Sequence, residues 1–362
     1  VVATDPPIEE LLDEAMALHR AGEFGPAEER YRTILERQPG HPDASNLLGL
    51  IALAFGHAES AVELFEAAVD SVPDSGMFRG NLADALSSAG RIEEAEAAYR
   101  RAIELAPDRA APVYNLGLLL HQLERPDEAL ASFRRAVALD PEHASARHLV
   151  AALSGDSRPD SAPVDYVTAL FDDYAFGFEA HVTGELGYRV PDDLAAFFRT
   201  RELGGGWTVV DLGCGSGLAG ERFRDLADHM VGCDLAGKML AVCHGKGVYD
   251  QLWHEDAAAT LARYSAVDLV IAADLFIYVG ALETMLGQIA GSLRPGGYLA
   301  GSIEAADREF ALRPSGRFAH APDYLEAAAA AAGLTRVWLE PTVIRTEGET
   351  AIPGHLFVFR RA

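Results

Sequence analysis

The sequence predicts a two-part chain. An α-helical solenoid of repeated helix pairs comes first, and an α/β Rossmann-like domain follows, built on a doubly wound seven-stranded sheet with an antiparallel last strand. Two observations carry this. Pro39, Pro73, Pro107 and Pro141 recur every 34 residues, a period that belongs to stacked helix pairs. Downstream, the apolar and β-branched run Trp207 to Leu212 opens directly into Gly213-Cys214-Gly215-Ser216-Gly217, which reads as a buried parallel strand followed by a tight turn and a helix.

Aligning on the prolines brings up further columns. Ala27, Ala61, Ala95 and Ala129 recur, then Tyr31, Phe65, Tyr99 and Phe133, then Ile34, Ala68, Ala102 and Ala136. Small residues Ala15, Gly49, Ala83 and Gly117 stand earlier in each unit, where two helices must approach closely. This pattern resembles the tetratricopeptide repeat, with four units from about Ile8 to Pro141. A helical pair cannot bury its own apolar face, so neighbours stack. His143–Leu153 is expected to cap the array, giving a first domain over 1–153. Asn81 and Asn115 share a position that often faces the groove in such arrays, but no peptide motif is assigned to it. The array is expected either to hold a protein partner in that groove or to serve as a scaffold.

A formal net charge of −25 argues against nucleic acid and anionic membranes as partners, since both need basic surface. No apolar run reaches membrane length, and Val1–Glu10 lacks a secretory pattern. The chain opens on Val1 rather than Met, which leaves room for an upstream segment. Cys214, Cys233 and Cys243 are odd in number and form no C-x-x-C, so neither a disulfide framework nor a metal site is expected. A reducing cytoplasm fits this usage best.

Ser154–Pro163 has the composition of a linker. It opens a second domain over 154–362, in which 154–203 form the linker and leader helices. The leader runs through Tyr166, Phe171, Tyr174, Phe176, Phe178 and His181 to Tyr188-Arg189-Val190-Pro191.

The glycine turn suits a nucleotide-like ligand at a strand's carboxyl end. Gly215, Gly217 and Gly220 satisfy G-x-G-x-x-G, so a dinucleotide must be weighed. Asp211, two residues before the first glycine, would repel a pyrophosphate but favour the sulfonium and ammonium of S-adenosylmethionine (SAM). Asp211, Gly213, Gly215 and Gly217 resemble motif I, D-x-G-x-G-x-G, of class I SAM-dependent methyltransferases. With the repeats and the L-F-D-x-Y-A leader, the chain resembles bacterial methyltransferases that carry tetratricopeptide repeats. Ser216 is expected to cap a helix from Leu218 to about Ala227.

The α/β alternation continues. Met230 to Asp234 reads as a second strand and Leu235 to Cys243 as its helix; Tyr249 to His254 reads as a third strand. By resemblance Asp234 takes the ribose hydroxyls, although an acid there also caps helices. Asp256 meets the adenine amine and the Ala257 N–H a ring nitrogen, although Asp256 is also an adequate N-cap. The resemblance adds Cys214, Leu235, Met239 and Ala273 to the cofactor set, and places Tyr166, Tyr174 and Arg189 of the leader near the cofactor or substrate. The fourth strand, from Val267, and the fifth, ending at Glu304, leave Asp274, Tyr278 and Glu304 as candidate catalytic groups. His320, in a loop before the helix Pro322–Ala332, is a fourth candidate or a plain loop histidine. Thr335–Leu339 and His355–Arg360 are expected to pair antiparallel.

The implied reaction is methyl transfer from SAM to an unidentified acceptor, leaving S-adenosylhomocysteine (SAH), with no metal. No N-P-P-Y or D-P-P-Y follows the fourth strand, which weakens the case for an amide or base nitrogen. A SAM-binding but non-catalytic adaptor, and an NAD-dependent oxidoreductase, are the alternatives.

Overall fold

The structure, a computed structural model, describes residues 6–175, 177–203 and 205–362, so Phe176 of the leader lies outside them. The chain divides into two compact units, one up to Arg147 and one from His148. Among the described residues no helix is long and apolar enough to cross a membrane.

In the first unit the columns become helix pairs: α1 (Ile8–Arg20) with α2 (Phe24–Arg37), α3 (Pro42–Ala54) with α4 (Ala58–Ser71), α5 (Gly76–Ser88) with α6 (Ile92–Leu105), and α7 (Ala110–Gln122) with α8 (Pro126–Leu139). Each period's proline stands just past a second helix, where it cannot continue the turn. The small and aromatic columns are two halves of one contact. A Cβ on Gly49 would lie 2.8 Å from the Phe65 ring, and one on Gly117 2.7 Å from that of Phe133. The alanine and aromatic columns are buried throughout. Turns inside the first three pairs use left-handed Gly22, Gly56 and Gly90; the fourth uses Glu124 at φ 56°, which costs about 1–2 kcal/mol in a residue with a Cβ. The helix α9 (Ala144–Ser154) follows where a cap was expected.

In the second unit α10 (Val164–Tyr174), a π-helical stretch Ala180–Glu185 and α11 (Val190–Thr200) form the leader. The α/β elements follow: β1 (Trp207–Leu212), α12 (Leu218–Phe223), β2 (Ala227–Asp234), α13 (Gly237–Lys246), β3 (Gln251–His254), α14 (Ala257–Arg263), β4 (Val267–Ala272), α15 (Glu283–Ser292) and β5 (Leu293–Glu304). A short antiparallel pair, β6 (Phe310–Leu312) and β7 (Phe318–His320), precedes α16 (Pro322–Ala331) and the hairpin β8 (Leu334–Glu347) and β9 (Thr350–Arg361).

The sheet order is β3-β2-β1-β4-β5-β9-β8. The first five strands are parallel, and β9 runs antiparallel to both its neighbours. Strand order reverses between β1 and β4, so the ligand crevice belongs at their carboxyl ends. Apolar side chains of α14, α15 and α16 bury one face, and those of α11 and α12 the other.

Several local expectations change. The helix after the glycine turn stops at Phe223, a 3-10 turn Arg224–Leu226 replaces its end, and β2 begins at Ala227. Ser216 does not cap it: left-handed Gly217 is the N-cap residue and no side chain bonds the first turn. Tyr249 precedes β3 instead of opening it. His320 is not in a loop but closes β7, its strand held by pairing with β6. The last two strands are far longer than expected, with β8 and β9 continuing as a hairpin beyond Gly354, the last residue paired with β5.

Candidate functional site

Three glycines shape the turn after β1. Gly213, Gly215 and Gly217 have φ of 66°, 52° and 92°, a region that L side chains rarely adopt. The turn is latched to the end of β2. Cys214 N donates to Cys233 O at 2.9 Å, and Gly215 N donates to Asp234 Oδ2 at 2.8 Å. Asp234 Oδ1 accepts from Ala236 N at 2.8 Å. Burial raises the Asp234 pKa, and these backbone bonds oppose that shift. A Cβ on Gly215 would meet nothing within 4 Å, so the space over the turn is open to a ligand.

Beneath the turn lies Tyr249. Its ring occupies the space where Cβ atoms of Gly220 and Gly232 would stand, so the third glycine of the G-x-G-x-x-G pattern serves packing. Its Oη donates to Asp211 Oδ2 at 2.5 Å. Asp211 is 1% exposed. Burial pushes its pKa up to about 7; the Tyr249 bond opposes the rise and the charge of Asp234 adds to it.

The other expected cofactor residues spread around this centre. Leu235 O accepts from His254 Nε2 at 2.9 Å. Met239 is fully buried with Ala236 and Ala175, packed by Phe171 and Phe178 of the leader. Asp256 is exposed and caps α14 through Ala259 N at 2.8 Å, with Ala257 next to it. Ala273 is buried, and its carbonyl accepts from Ser302 Oγ. In the leader, Asp172 Oδ1 accepts from Lys238 N at 2.9 Å. Tyr174 hydrogen-bonds with His181. Tyr166 packs against His148 in a tilted pair with ring centroids 4.8 Å apart, beside Gly316, and Arg189 is exposed at the start of α11.

A second group of side chains gathers past the ends of β4 and β5. Glu304, buried, accepts from Arg345 Nη2, and Arg345 Nε donates to Glu347 at 2.7 Å. Arg317 donates to Glu347 at 2.5 Å and hydrogen-bonds Tyr278. Asp274 faces this network: burial pushes its pKa up to about 6 against the pull of Arg345 and Arg317. The buried Tyr188 feels both Asp274 and Asp211, and its pKa is raised, chiefly by burial. Asp274, Tyr278 and Glu304 are thus brought together. His320 is fully buried, its Nε2 donating to Val279 O and Gly280 O at 2.8 and 3.0 Å, and burial pushes its pKa down to about 4. It is a neutral ring that ties β7 to the turn after β4.

Sequence reasoning missed Tyr249, Tyr188, Arg317, Arg345 and Glu347. Tyr188 had a signal, since it stands beside Arg189 in the leader. Arg345 had none, because the expected strand ended at Leu339 and left Arg345 outside any element.

Comparison with known proteins agrees with both halves. A tetratricopeptide repeat family matches residues 12–76 and 81–144, and a methyltransferase domain family matches 210–301. The ubiquinone biosynthesis O-methyltransferase of Methylobacterium sp. (strain 4-46) is 30% identical over 112 residues, 30% of this chain and 45% of that protein. The chain therefore spans about half the length of this curated relative. Among solved structures, the 1,6-didemethyltoxoflavin-N1-methyltransferase of Burkholderia thailandensis is 17% identical, with a TM-score of 0.44 over 57% of this chain and 93% of that one. MamA of Desulfovibrio magneticus RS-1 is 22% identical, with a TM-score of 0.36 over 38% and 77%. The chain thus carries tetratricopeptide repeats over 12–76 and 81–144 and a methyltransferase domain over 210–301.

Proposed function

We propose that the second unit binds SAM and transfers its methyl group to an acceptor that the repeat array helps to present. The observation that carries this is the latched turn: left-handed glycines with open space over Gly215, held by Asp234 at the strand end. Asp234 has lone-pair capacity beyond its backbone bonds to offer the ribose hydroxyls. Asp211 offers a buried carboxyl to a cationic ligand and a repulsive one to a pyrophosphate. Asp256 and the Ala257 N–H stand at the next turn for the adenine. When bound, SAM supplies an already activated methyl group. The chain's own task is then to position the acceptor and exclude water. The three cysteines are free and buried, in keeping with a reducing cytoplasm.

Calorimetry on the full chain tests the reading. SAM and SAH should bind and NAD should not. Asp234→Ala should weaken SAM by roughly ten- to hundredfold, the loss of about 1.5–3 kcal/mol from hydrogen bonds to a charged group. Binding of NAD, or an unchanged SAM affinity in the variant, would sink it.

The array's role has its own test. A boundary after residue 153, as expected from the linker, would cut off α9, whose His148 Nε2 donates to Gly316 O at 2.8 Å, so the test fragment carries α9. A fragment from Ala144 is expected to bind SAM as the full chain does and to lose methyl transfer to acceptors in a cell lysate. Retained transfer at matched concentration would reduce the array to a solubilising scaffold.

A further inference from the structure

The acceptor can be narrowed, on the methyl-transfer reading above, from what the second group of side chains leaves unpaired. Asp274 follows β4, and Leu275 beside it lies 3.6 Å from where a Cβ on Gly213 would stand. The group therefore adjoins the glycine turn. Around Asp274 stand Arg345, Arg317, Glu304 and Glu347, together with Tyr188 and Tyr278. Their mutual bonds use most of the polar atoms, but two are left over. Asp274 Oδ1 and Arg345 Nη1 are both buried without a hydrogen-bond partner, and Arg345 is only 4% exposed. Orphaned buried groups of this kind cost free energy and call for an explanation. A molecule that offers a proton donor to Asp274 and an oxygen to Arg345 satisfies both at once.

Charge selects among such molecules. Three carboxyls, Asp274, Glu304 and Glu347, face two guanidiniums, so the group already holds an excess of negative charge when ionised. A carboxylate or phosphate would add to that excess, and an ammonium would meet Arg345 and Arg317. A neutral hydroxyl avoids both conflicts. Its proton neutralises the excess on Asp274, and the charge left on oxygen faces the arginines.

We propose that the acceptor is a neutral, weakly acidic hydroxyl compound, a phenol or enol, seated with its O–H on Asp274 and its oxygen toward Arg345. Asp274 is the general base. The O–H bond breaks and its proton passes to Asp274 Oδ1. The acceptor oxygen bonds the methyl carbon as the carbon–sulfur bond breaks, its electron pair remaining on sulfur. Asp274 then returns the proton to solvent. With its pKa pushed up to about 6, the carboxyl is mostly ionised at neutral pH and still basic enough to take that proton.

The test uses the full chain saturated with SAH and three probes of one size: para-cresol, para-toluate and para-methylbenzylamine. At neutral pH the cresol should bind at least tenfold tighter than the carboxylate or the ammonium. Asp274→Asn removes the excess negative charge, so it should weaken the cresol and strengthen the toluate, each by about tenfold, inverting the preference. A purely structural role for Asp274 predicts no gain for the toluate. Tightest binding of the amine, equal binding of all three, or no binding of any while SAH binds normally would overturn the proposal. Failure of SAH itself to bind would instead overturn the cofactor assignment.

Discussion

Replacing Glu304 by Ala is expected to destabilise the second unit by about 3 kcal/mol, the lower end for breaking a buried ion pair. Arg345 loses the partner of its Nη2 inside a site where it is 4% exposed, while Glu347 still accepts from its Nε. For a unit of this size the melting temperature should fall on the order of ten degrees. The measurement is unusually clean. All three tryptophans, Trp207, Trp253 and Trp338, lie in the second unit, so their fluorescence follows its unfolding alone. A shift of only a degree or two would show that Arg345 reaches water when its partner is removed.

Asp211→Asn is expected to stabilise the ligand-free protein at pH 8 while weakening SAM. The folded pKa of about 7 lies above the unfolded value of about 3.9. Between those values the folded state holds the extra proton, so stability falls as pH rises through the window. Above pH 7 the full penalty, on the order of a few kcal/mol, is present. The amide carries no charge to desolvate, so the variant should gain at pH 8 and show no gain near pH 4. Asp274, whose pKa is also raised by burial, contributes with the same sign in both proteins and cancels in the difference. Denaturant unfolding followed by tryptophan fluorescence at the two pH values reads this directly. Equal stability at pH 8 would mean that Asp211 is not held at a cost. Calorimetry should show SAM weakened by roughly tenfold or more, since the cation loses its counter-charge.

Local spacing carried most of what the sequence could say. The repeat columns were legible because each small residue and its aromatic partner lie within one helix pair, as in Gly117 and Phe133. The glycine turn was legible because strand, turn and Asp234 fall within one β-α-β unit. Pairing between distant segments was not. Glu304 meets Arg345 through strand register across β9, a relation that no short window contains. The capping role given to Ser216 failed because left-handed Gly217 intervenes before the helix, leaving Ser216 Oγ buried without a partner. His320 read as a loop residue because β6 and β7 are only three residues each, too short for an alternation to register.

The far end of the β8–β9 hairpin has an evolutionary consequence. On the proposed reading the groups assigned to the methyl donor sit at the carboxyl ends of β1, β2 and β3, whereas Arg345 and Glu347 arrive from the hairpin and Arg317 from the residues just before β7. On that reading, related chains are free to keep the donor half and to diverge in their acceptor through the hairpin tip. Replacing Arg345 alone leaves Glu304 without its partner in a buried site, and replacing Glu304 alone leaves Arg345 with Glu347 only. A change of acceptor at this position is therefore expected to come as a paired replacement.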